Sequence, residues 1–98
     1  MTYRLSARAE ADLTDIWVYS AEQWGVVQAD GYVDALLSRF VWLSENPSLW
    51  KPRPDIAEGL YGYLQQSHVI YFRESDGVPE TLEIVRVLHG RMEPAAHL

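Results

Sequence analysis

Apolar residues recur with two different periods in the first quarter of the chain, and each period predicts an element. In "TYRLS" the side chains of Tyr3 and Leu5 lie on one side with a charged residue between them, which predicts a short strand. Ser6 suits the N-cap of a helix, and this helix is expected to begin at Ala7 and to end at Gly25. Its apolar stripe consists of Ala9, Leu13, Ile16, Trp17 and Trp24.

A second helix is predicted from about Val27 to Glu45. Asn46-Pro47 ends it, because proline disfavours a helical conformation of the residue before it. The link between the two helices is so short that they are expected to pack as an antiparallel hairpin. The apolar side chains of the second helix, which fall within about a third of its circumference, are Ala29, Tyr32, Val33, Leu36, Leu37, Phe40 and Leu43.

The second half of the chain predicts a loop followed by strands. The segment "NPSLWKPRPDIAEG" contains three prolines and is expected to be a loop. Three strands follow, at Leu60 to Gln66, His68 to Glu74 and Thr81 to His89, with an Asp76-Gly77 turn signal between the last two. The predicted element order is therefore β, α, α, β, β, β.

The last predicted strand is mostly apolar on both faces. Strict alternation places Leu82, Ile84, Arg86 and Leu88 on one face and two valines on the other. Such a strand is typical of the middle of a sheet that is covered on both sides. Because a helical hairpin covers only one face, part of the other face is expected to await a partner.

Length and composition favour one compact domain that spans residues 1–98. The chain has 98 residues, 48% of them hydrophobic, and no cysteine, which excludes a disulfide framework and a thiolate metal site. No stretch approaches the roughly 18 apolar residues of a membrane span, and the amino terminus is too acidic and polar for a signal peptide. We therefore expect a cytoplasmic protein without membrane association.

Charge narrows the classes of function further. The formal net charge of −6 argues against a wide basic face for nucleic acid, because phosphate neutralisation by lysine and arginine supplies most of such affinity.

On the polar side of the first helix, Arg8 and Asp12 lie one turn apart and are expected to form a weak exposed ion pair.

Several short motifs together resemble one known family. The framework "YRLS..A..DL..IW.YS...WG", then "NP", "SHVIYFR" and "EIVRVLHGRM...AHL", is similar to the ParE toxins of the RelE/ParE superfamily and covers almost the whole chain. The resemblance implies an α+β fold in which an N-terminal strand and an antiparallel helical hairpin pack on a mostly antiparallel, three- to four-stranded curved sheet. Its most specific positions are Leu13, Ile16, Trp17, Tyr71, Arg73, Ile84, Arg86, His89 and Met92.

The resemblance also implies a function and partners. ParE toxins inhibit DNA gyrase and block replication, and they belong to toxin–antitoxin systems of plasmids and chromosomes. The implied partner is a ParD-type antitoxin that forms a hetero-oligomer with the toxin through a carboxy-terminal segment. Its ribbon-helix-helix dimer binds operator DNA, so the toxin would meet that DNA only indirectly. No catalytic residue and no cofactor is implied.

Two other functions remain open on the sequence. A RelE-like endoribonuclease that cuts messenger RNA on the ribosome would use Arg73 and Arg86 as cations and His89 as acid or base. A structural arginine tied to an acidic residue or to backbone carbonyls is the favoured interpretation of Arg86, and no clustered lysines accompany His89. A non-toxic co-repressor is the other alternative, because Tyr61 and Gly62 stand where many ParE sequences have a basic pair.

A metal site is not expected. His68, His89 and His97 lie on three different predicted elements, and no two of them have the i, i+4 spacing of a helical metal motif.

Candidate binding surfaces follow from the four tryptophans of this short chain and from the resemblance. Trp17 and Trp24 are expected in the core. Val18, Tyr19 and Trp42 lie away from the apolar stripes of the two helices and suggest an interface. The candidate antitoxin contacts are Val18, Tyr19, Trp42, Trp50, Leu60 and Tyr63. In the family the carboxy-terminal region matters for toxicity, which makes Arg91, Met92 and His97 the candidate target contacts; a frayed terminus with an apolar anchor is the alternative.

Overall fold

The computed structural model describes residues 2–75 and 81–98. Over these residues the predicted order of elements is confirmed, and the predicted Asp76-Gly77 turn lies outside them. The long elements are β1 (Thr2–Leu5), α1 (Ala7–Trp24), α2 (Val26–Glu45), β3 (Tyr61–Gln65), β4 (His68–Glu74) and β5 (Thr81–His89). The predicted proline-rich loop also holds a 3₁₀ turn (Pro47–Leu49) and a short strand, β2 (Lys51–Pro52), and the chain ends in a one-turn helix, α3 (Pro94–His97).

The helical hairpin forms as predicted, because residues next to its start and at its turn favour these conformations locally. The Ser6 hydroxyl accepts a hydrogen bond from the Ala9 N–H at 3.0 Å and so caps α1. Gly25 alone separates the two helices, with φ 94° and ψ 165°, a conformation that only glycine adopts readily. The one-residue link turns α2 back along α1, and Ala29, Leu36 and Phe40 become fully buried.

The sheet is mixed, with strand order β1-β5-β4-β3-β2. β1 runs parallel to β5 and the other pairs are antiparallel, so the sheet is mostly antiparallel, as expected. It has five strands in the described ranges, where three or four were predicted, because Lys51 and Pro52 pair with Gly62 and Tyr61. β5 lies between β1 and β4, which confirms that it is a central strand.

A β-bulge changes which side chains of β5 share a face. Tyr71 pairs with Arg86 but the next residue, Phe72, pairs with Ile84, so β5 carries one extra residue at this point. Ile84 and Val87 therefore both pack under the helices. The prediction that Ile84, Arg86 and Leu88 share one face is wrong, because strict alternation does not continue through a bulge.

Two hydrophobic clusters lie on opposite faces of the sheet. The larger one joins the hairpin to residues such as Phe40, Ile70 and Phe72, all fully buried. The smaller one contains Tyr71 and Leu88 and is partly covered by residues of the loop between β2 and β3. In the described ranges no helix is both long and apolar enough to cross a membrane.

Candidate functional site

A cavity of about 400 Å³ opens between the hairpin and one end of the sheet. Its walls come from the second half of α1, from Tyr32 of α2, from the ends of β4 and β5 and from the segment after β5. The lining side chains are mostly apolar or aromatic, with two histidines and one carboxylate among them. They are Asp15, Ile16, Tyr19, Ser20, Trp24, Tyr32, Ser67, His68, His89 and Met92.

A tyrosine and two histidines meet at the base of this cavity. The Tyr32 hydroxyl lies 2.6 Å from Nδ1 of His68, and the His68 and His89 rings stand edge to face with centroids 5.4 Å apart. Nδ1 of His89 accepts a hydrogen bond from the Arg91 N–H at 3.1 Å. The three histidines lie on three elements, as predicted, and the β4–β5 register places His68 and His89 side by side.

The environment shifts the protonation of this cluster. Burial, followed by the nearby His89, lowers the pKa of His68, and Asp12 opposes that shift more weakly. Burial raises the pKa of Tyr32, against a smaller lowering by hydrogen bonds to Ser67. His68 is therefore neutral at pH 7, and its Nδ1 can accept a hydrogen bond from the Tyr32 hydroxyl.

Arg86, one of the three candidate nuclease residues, is fully engaged in structural contacts. Its Nε and Nη2 each donate to a carboxylate oxygen of Asp12 at 2.8 Å, and its Nη1 donates to the His97 carbonyl at 2.6 Å. The hydrogen bonds to Asp12 raise the pKa of Arg86. The interpretation of Arg86 as an arginine tied to an acidic residue and a backbone carbonyl is confirmed.

Asp12 also accepts a hydrogen bond from the backbone of β5. One of its oxygens also accepts the Val87 N–H at 2.9 Å, on the edge of β5 that extends past the end of β1. Asp12 thus caps an otherwise unpaired strand edge while it binds Arg86. The predicted pair between Arg8 and Asp12 is wrong, because the carboxylate points toward β5.

The other two nuclease candidates lie far apart. Arg73 pairs with Glu83 at 2.9 Å, and Glu83 also pairs with Arg4 at 3.3 Å. His89 is opposite His68, and Arg73 lies five positions after His68 along β4, which corresponds to roughly 17 Å. The structure therefore does not bring Arg73 and His89 together.

A loop arginine partly replaces the charge that the sequence lacks on β3. Arg53 lies over Gly62, where an added Cβ would be 3.3 Å from its Cγ, and its guanidinium pairs with Asp55 at 3.0 Å. Arg53 therefore places a cation beside β3 from outside the strand, and this cation is paired with Asp55.

Four of the six candidate antitoxin contacts are packing residues. Leu60 is buried in the smaller cluster, with 6% of its surface exposed. Trp42 lies against the Tyr63 ring at 5.6 Å, with the Arg39 guanidinium 4.7 Å from its own ring. The Trp50 indole N–H donates to the Leu43 carbonyl at 2.7 Å.

Exposed apolar surface lies instead near the hairpin turn. Val18 and Tyr19 are exposed, as expected from their off-stripe positions. Trp24, predicted in the core, is 59% exposed and packs edge to face against Tyr19 at 6.1 Å. Trp17 is half-buried, and its indole N–H donates to Asp30 at 2.8 Å.

The candidate target contacts lie after β5. Arg91 and Met92 are exposed, and Met92 also lines the cavity. His97 is half-buried on α3, where its carbonyl binds Arg86, whereas Leu98 is exposed. A hydrogen bond from Arg86 therefore holds the terminus at the His97 carbonyl.

Sequence reasoning missed the Tyr32–His68 pair and the exposed Trp24. Tyr32 belongs to the apolar stripe of α2, and its partner is 36 residues away. In residues 2–75 and 81–98, no group of three histidine or acidic side chains is placed to hold a metal ion. No local sequence signal marks this cavity, since its walls come from four separate elements.

Comparisons with known proteins identify the class. The chain matches the family model for the ParE toxin of the type II toxin–antitoxin system parDE over residues 3–94. It is 42% identical over 96 residues to Toxin ParE1 of Caulobacter vibrioides, covering 98% of this chain and 96% of that one. It is 33% identical over 91 residues to Toxin ParE1 of Mycobacterium tuberculosis, covering 93% and 91%.

Solved structures share the fold. The chromosomal ParDE system of P. aeruginosa aligns with a TM-score of 0.76 at 20% identity, over 91% of this chain and 95% of that one. The toxin–antitoxin complex RelBE2 of M. tuberculosis aligns with a TM-score of 0.68 at 21% identity, over 90% and 95%. Family model and relatives together define a toxin of a type II toxin–antitoxin system. Within that class, the chain belongs to the ParE toxin family.

Proposed function

We propose that this toxin acts by binding DNA gyrase, without cutting RNA, and that a ParD-type antitoxin keeps it inactive. The observation that carries the proposal is that the arginines of β4 and β5 are paired with carboxylates and lie far from any arrangement around one phosphate. Asp12 neutralises Arg86, Glu83 neutralises Arg73, and His89 lies roughly 17 Å along the sheet from Arg73. Cleavage of RNA needs cations and a proton acceptor that converge on one phosphate.

The overall charge supports the same proposal. A net charge of −6 repels an RNA backbone, and Arg4 and Arg53 are also paired with carboxylates. A protein partner does not need a cationic surface and can be held by exposed apolar and aromatic side chains.

The segment after β5 supplies the proposed gyrase contacts. Arg91 and Met92 are both exposed there, and His97 follows on α3. The named relatives are ParE toxins, and gyrase inhibition is the activity that the family resemblance implies. In this proposal the whole chain is one toxin domain that works in the cytoplasm.

The antitoxin is proposed to cover the exposed apolar surface of α1. Val18 and Tyr19 are the candidate contacts with the greatest exposure among those named from the sequence, and Trp24 extends the same surface. The solved relatives are toxin–antitoxin systems. We propose a hetero-oligomer in which operator DNA is bound by the antitoxin alone.

The test uses the purified toxin with gyrase and, separately, with translating ribosomes. We expect inhibited supercoiling and linearised plasmid DNA, and we expect weaker inhibition from Met92→Ala than from the exposed control Glu45→Gln. Messenger RNA on the ribosome should remain uncut. Cleavage that disappears in His89→Ala would establish the RelE-like alternative instead, and a toxin that binds its antitoxin but affects neither process would establish the co-repressor.

A further inference from the structure

The cavity beside the hairpin has two aromatic walls and one carboxylate at its rim. Tyr19 and Trp24 form one wall, 58% and 59% exposed, with their rings edge to face at 6.1 Å. Tyr32 contributes from α2, and Asp15 lies one helical turn before Tyr19. Among the residues that the structure describes, no lysine or arginine lines the cavity. The lining is therefore suited to a ligand that is both apolar and cationic.

The charges of the lining residues also favour a cationic ligand. In the part of the chain that the structure describes, Asp15 takes part in no ion pair, in contrast to Asp12 one turn earlier. Burial holds the pKa of His68 below its usual range, so His68 adds no positive charge at pH 7. A cation over a tyrosine or tryptophan face is attracted by the ring quadrupole, and a neighbouring carboxylate adds to that attraction.

From this geometry we infer that the cavity accepts one lysine or arginine side chain of the antitoxin's toxin-binding segment. The aliphatic stem lies along Ile16 and Met92, and the charged head reaches the aromatic wall and Asp15. The identity of the partner rests on the proposed function, whereas the chemistry of the occupant rests on the lining alone.

The antitoxin is the favoured source of that side chain for two reasons. The cavity is continuous, through Tyr19, with the exposed surface of α1 that we assign to the antitoxin. The toxin's charge of −6 also complements a basic segment. Because Met92 lines the cavity, the bound side chain covers a proposed gyrase contact, and the antitoxin then neutralises the toxin by occupying part of its target surface.

Binding to the antitoxin encoded beside the toxin tests the inference. We expect Asp15→Asn to weaken the complex about fivefold and Trp24→Ala about tenfold, as measured by calorimetry at low salt. Two exposed positions on α2 provide matched controls: Glu45→Gln removes the same charge and Val41→Ala truncates an exposed apolar side chain. Both controls should change the affinity less than twofold, and thermal denaturation checks that all four variants fold.

A double-mutant series identifies the occupant. Each lysine and arginine of the antitoxin's carboxy-terminal half is replaced by methionine in turn and measured against wild-type toxin and Asp15→Asn. One replacement should lose its effect when Asp15 is already changed. If no cation of the antitoxin couples to Asp15, the inference is overturned even though the complex still forms.

Two further outcomes separate the possible failures. Agmatine is titrated into the toxin and followed by NMR; shifts at the cavity without any coupling in the antitoxin series indicate a site for a small cation and overturn the polypeptide occupant. A toxin that leaves gyrase unaffected overturns the proposed target, while the coupling between Asp15 and the antitoxin stays measurable.

Discussion

The carboxylate of Asp12 on α1 and the guanidinium of Arg86 on β5 are joined by two parallel hydrogen bonds of 2.8 Å. Both side chains are largely withdrawn from water, with 11% and 14% of their surface exposed. The pair locks the first helix to the central strand at the place where β1 ends. A residue that resembles a catalytic cation in sequence thus serves as a structural tie.

Replacing Asp12 by alanine is expected to destabilise the fold by roughly 3 kcal/mol. The change leaves a nearly buried guanidinium without its counter-ion and removes the acceptor of the Val87 N–H. Urea denaturation monitored by tryptophan fluorescence measures the loss. Arg4→Ala is the comparison, because its ion pair with Glu83 is exposed and should contribute less than about 1 kcal/mol. Equal midpoints for the two variants would contradict this account.

Two glycines should respond to alanine with opposite signs. Gly25→Ala forces a side chain into a backbone conformation at φ 94°, and we expect a loss of about 1–3 kcal/mol. Gly31 lies inside α2 with open space around it, so Gly31→Ala should raise the free energy of unfolding by about 0.5–1 kcal/mol. Thermal denaturation of both variants is sufficient, and a stabilised Gly25→Ala protein would show that the hairpin link is not strained by a side chain.

The half-buried His68 predicts a pH dependence of stability. Because folding lowers the pKa of His68, the unfolded chain binds this proton more tightly, near pH 6.5. The contribution of neutral His68 to stability is therefore complete above about pH 6.5 and is lost as the pH falls toward the folded pKa. Urea denaturation at several pH values between 8 and 5 measures it.

The variant His68→Gln isolates that contribution, since glutamine keeps a hydrogen-bonding group near Tyr32 but does not titrate. Its stability should fall less than that of the wild type between pH 7 and pH 5. His97→Gln, on α3 outside the cavity, should retain the wild-type dependence. The assignment fails if both variants follow the same pH profile.

Arg39 should contribute through its charge as well as its stem. Its guanidinium carbon lies 4.7 Å from the Trp42 ring centre and 5.1 Å from that of Tyr63, and its Nε donates to Gln65 at 3.0 Å. Arg39→Met keeps an apolar stem, and we expect a loss of about 1 kcal/mol from the missing cation–π contacts and hydrogen bond. The same change at exposed Arg8 should alter the melting temperature little, and a comparable effect at both sites would refute the role of the rings.

Local patterns were sufficient for the elements, and they failed where distant elements meet. The bounds of β4 and β5 and the capped, glycine-linked hairpin followed from periodicity and from Ser6 and Gly25. The helical spacing places Trp24 on the apolar stripe of α1. That spacing does not show that Trp24 is the last residue of the helix, where the core no longer covers it. Trp42 lies off the apolar stripe of α2 but is half-buried, because Tyr63 of β3 reaches the flank of α2.

The site needed information that no single segment contains. The Asp12–Arg86 pair joins residues 74 positions apart, and its geometry depends on the bulge in β5 and on where β1 stops. The meeting of His68 with His89 depends in the same way on strand register. Such contacts are set by tertiary packing, which residue spacing along one strand or helix does not encode.

The pairing of β1 with β5 sets an order on biosynthesis. Thr2 lies beside Thr81, so β1 gains a neighbour in the sheet only after β5, far along the chain, has been synthesised. A polypeptide that terminates before Thr81 lacks the strand that connects β1 to β4, and its sheet cannot close around the hairpin. Stop codons before Thr81 should therefore give unfolded, harmless fragments, and a cell is exposed to the toxin only after β5 has been translated.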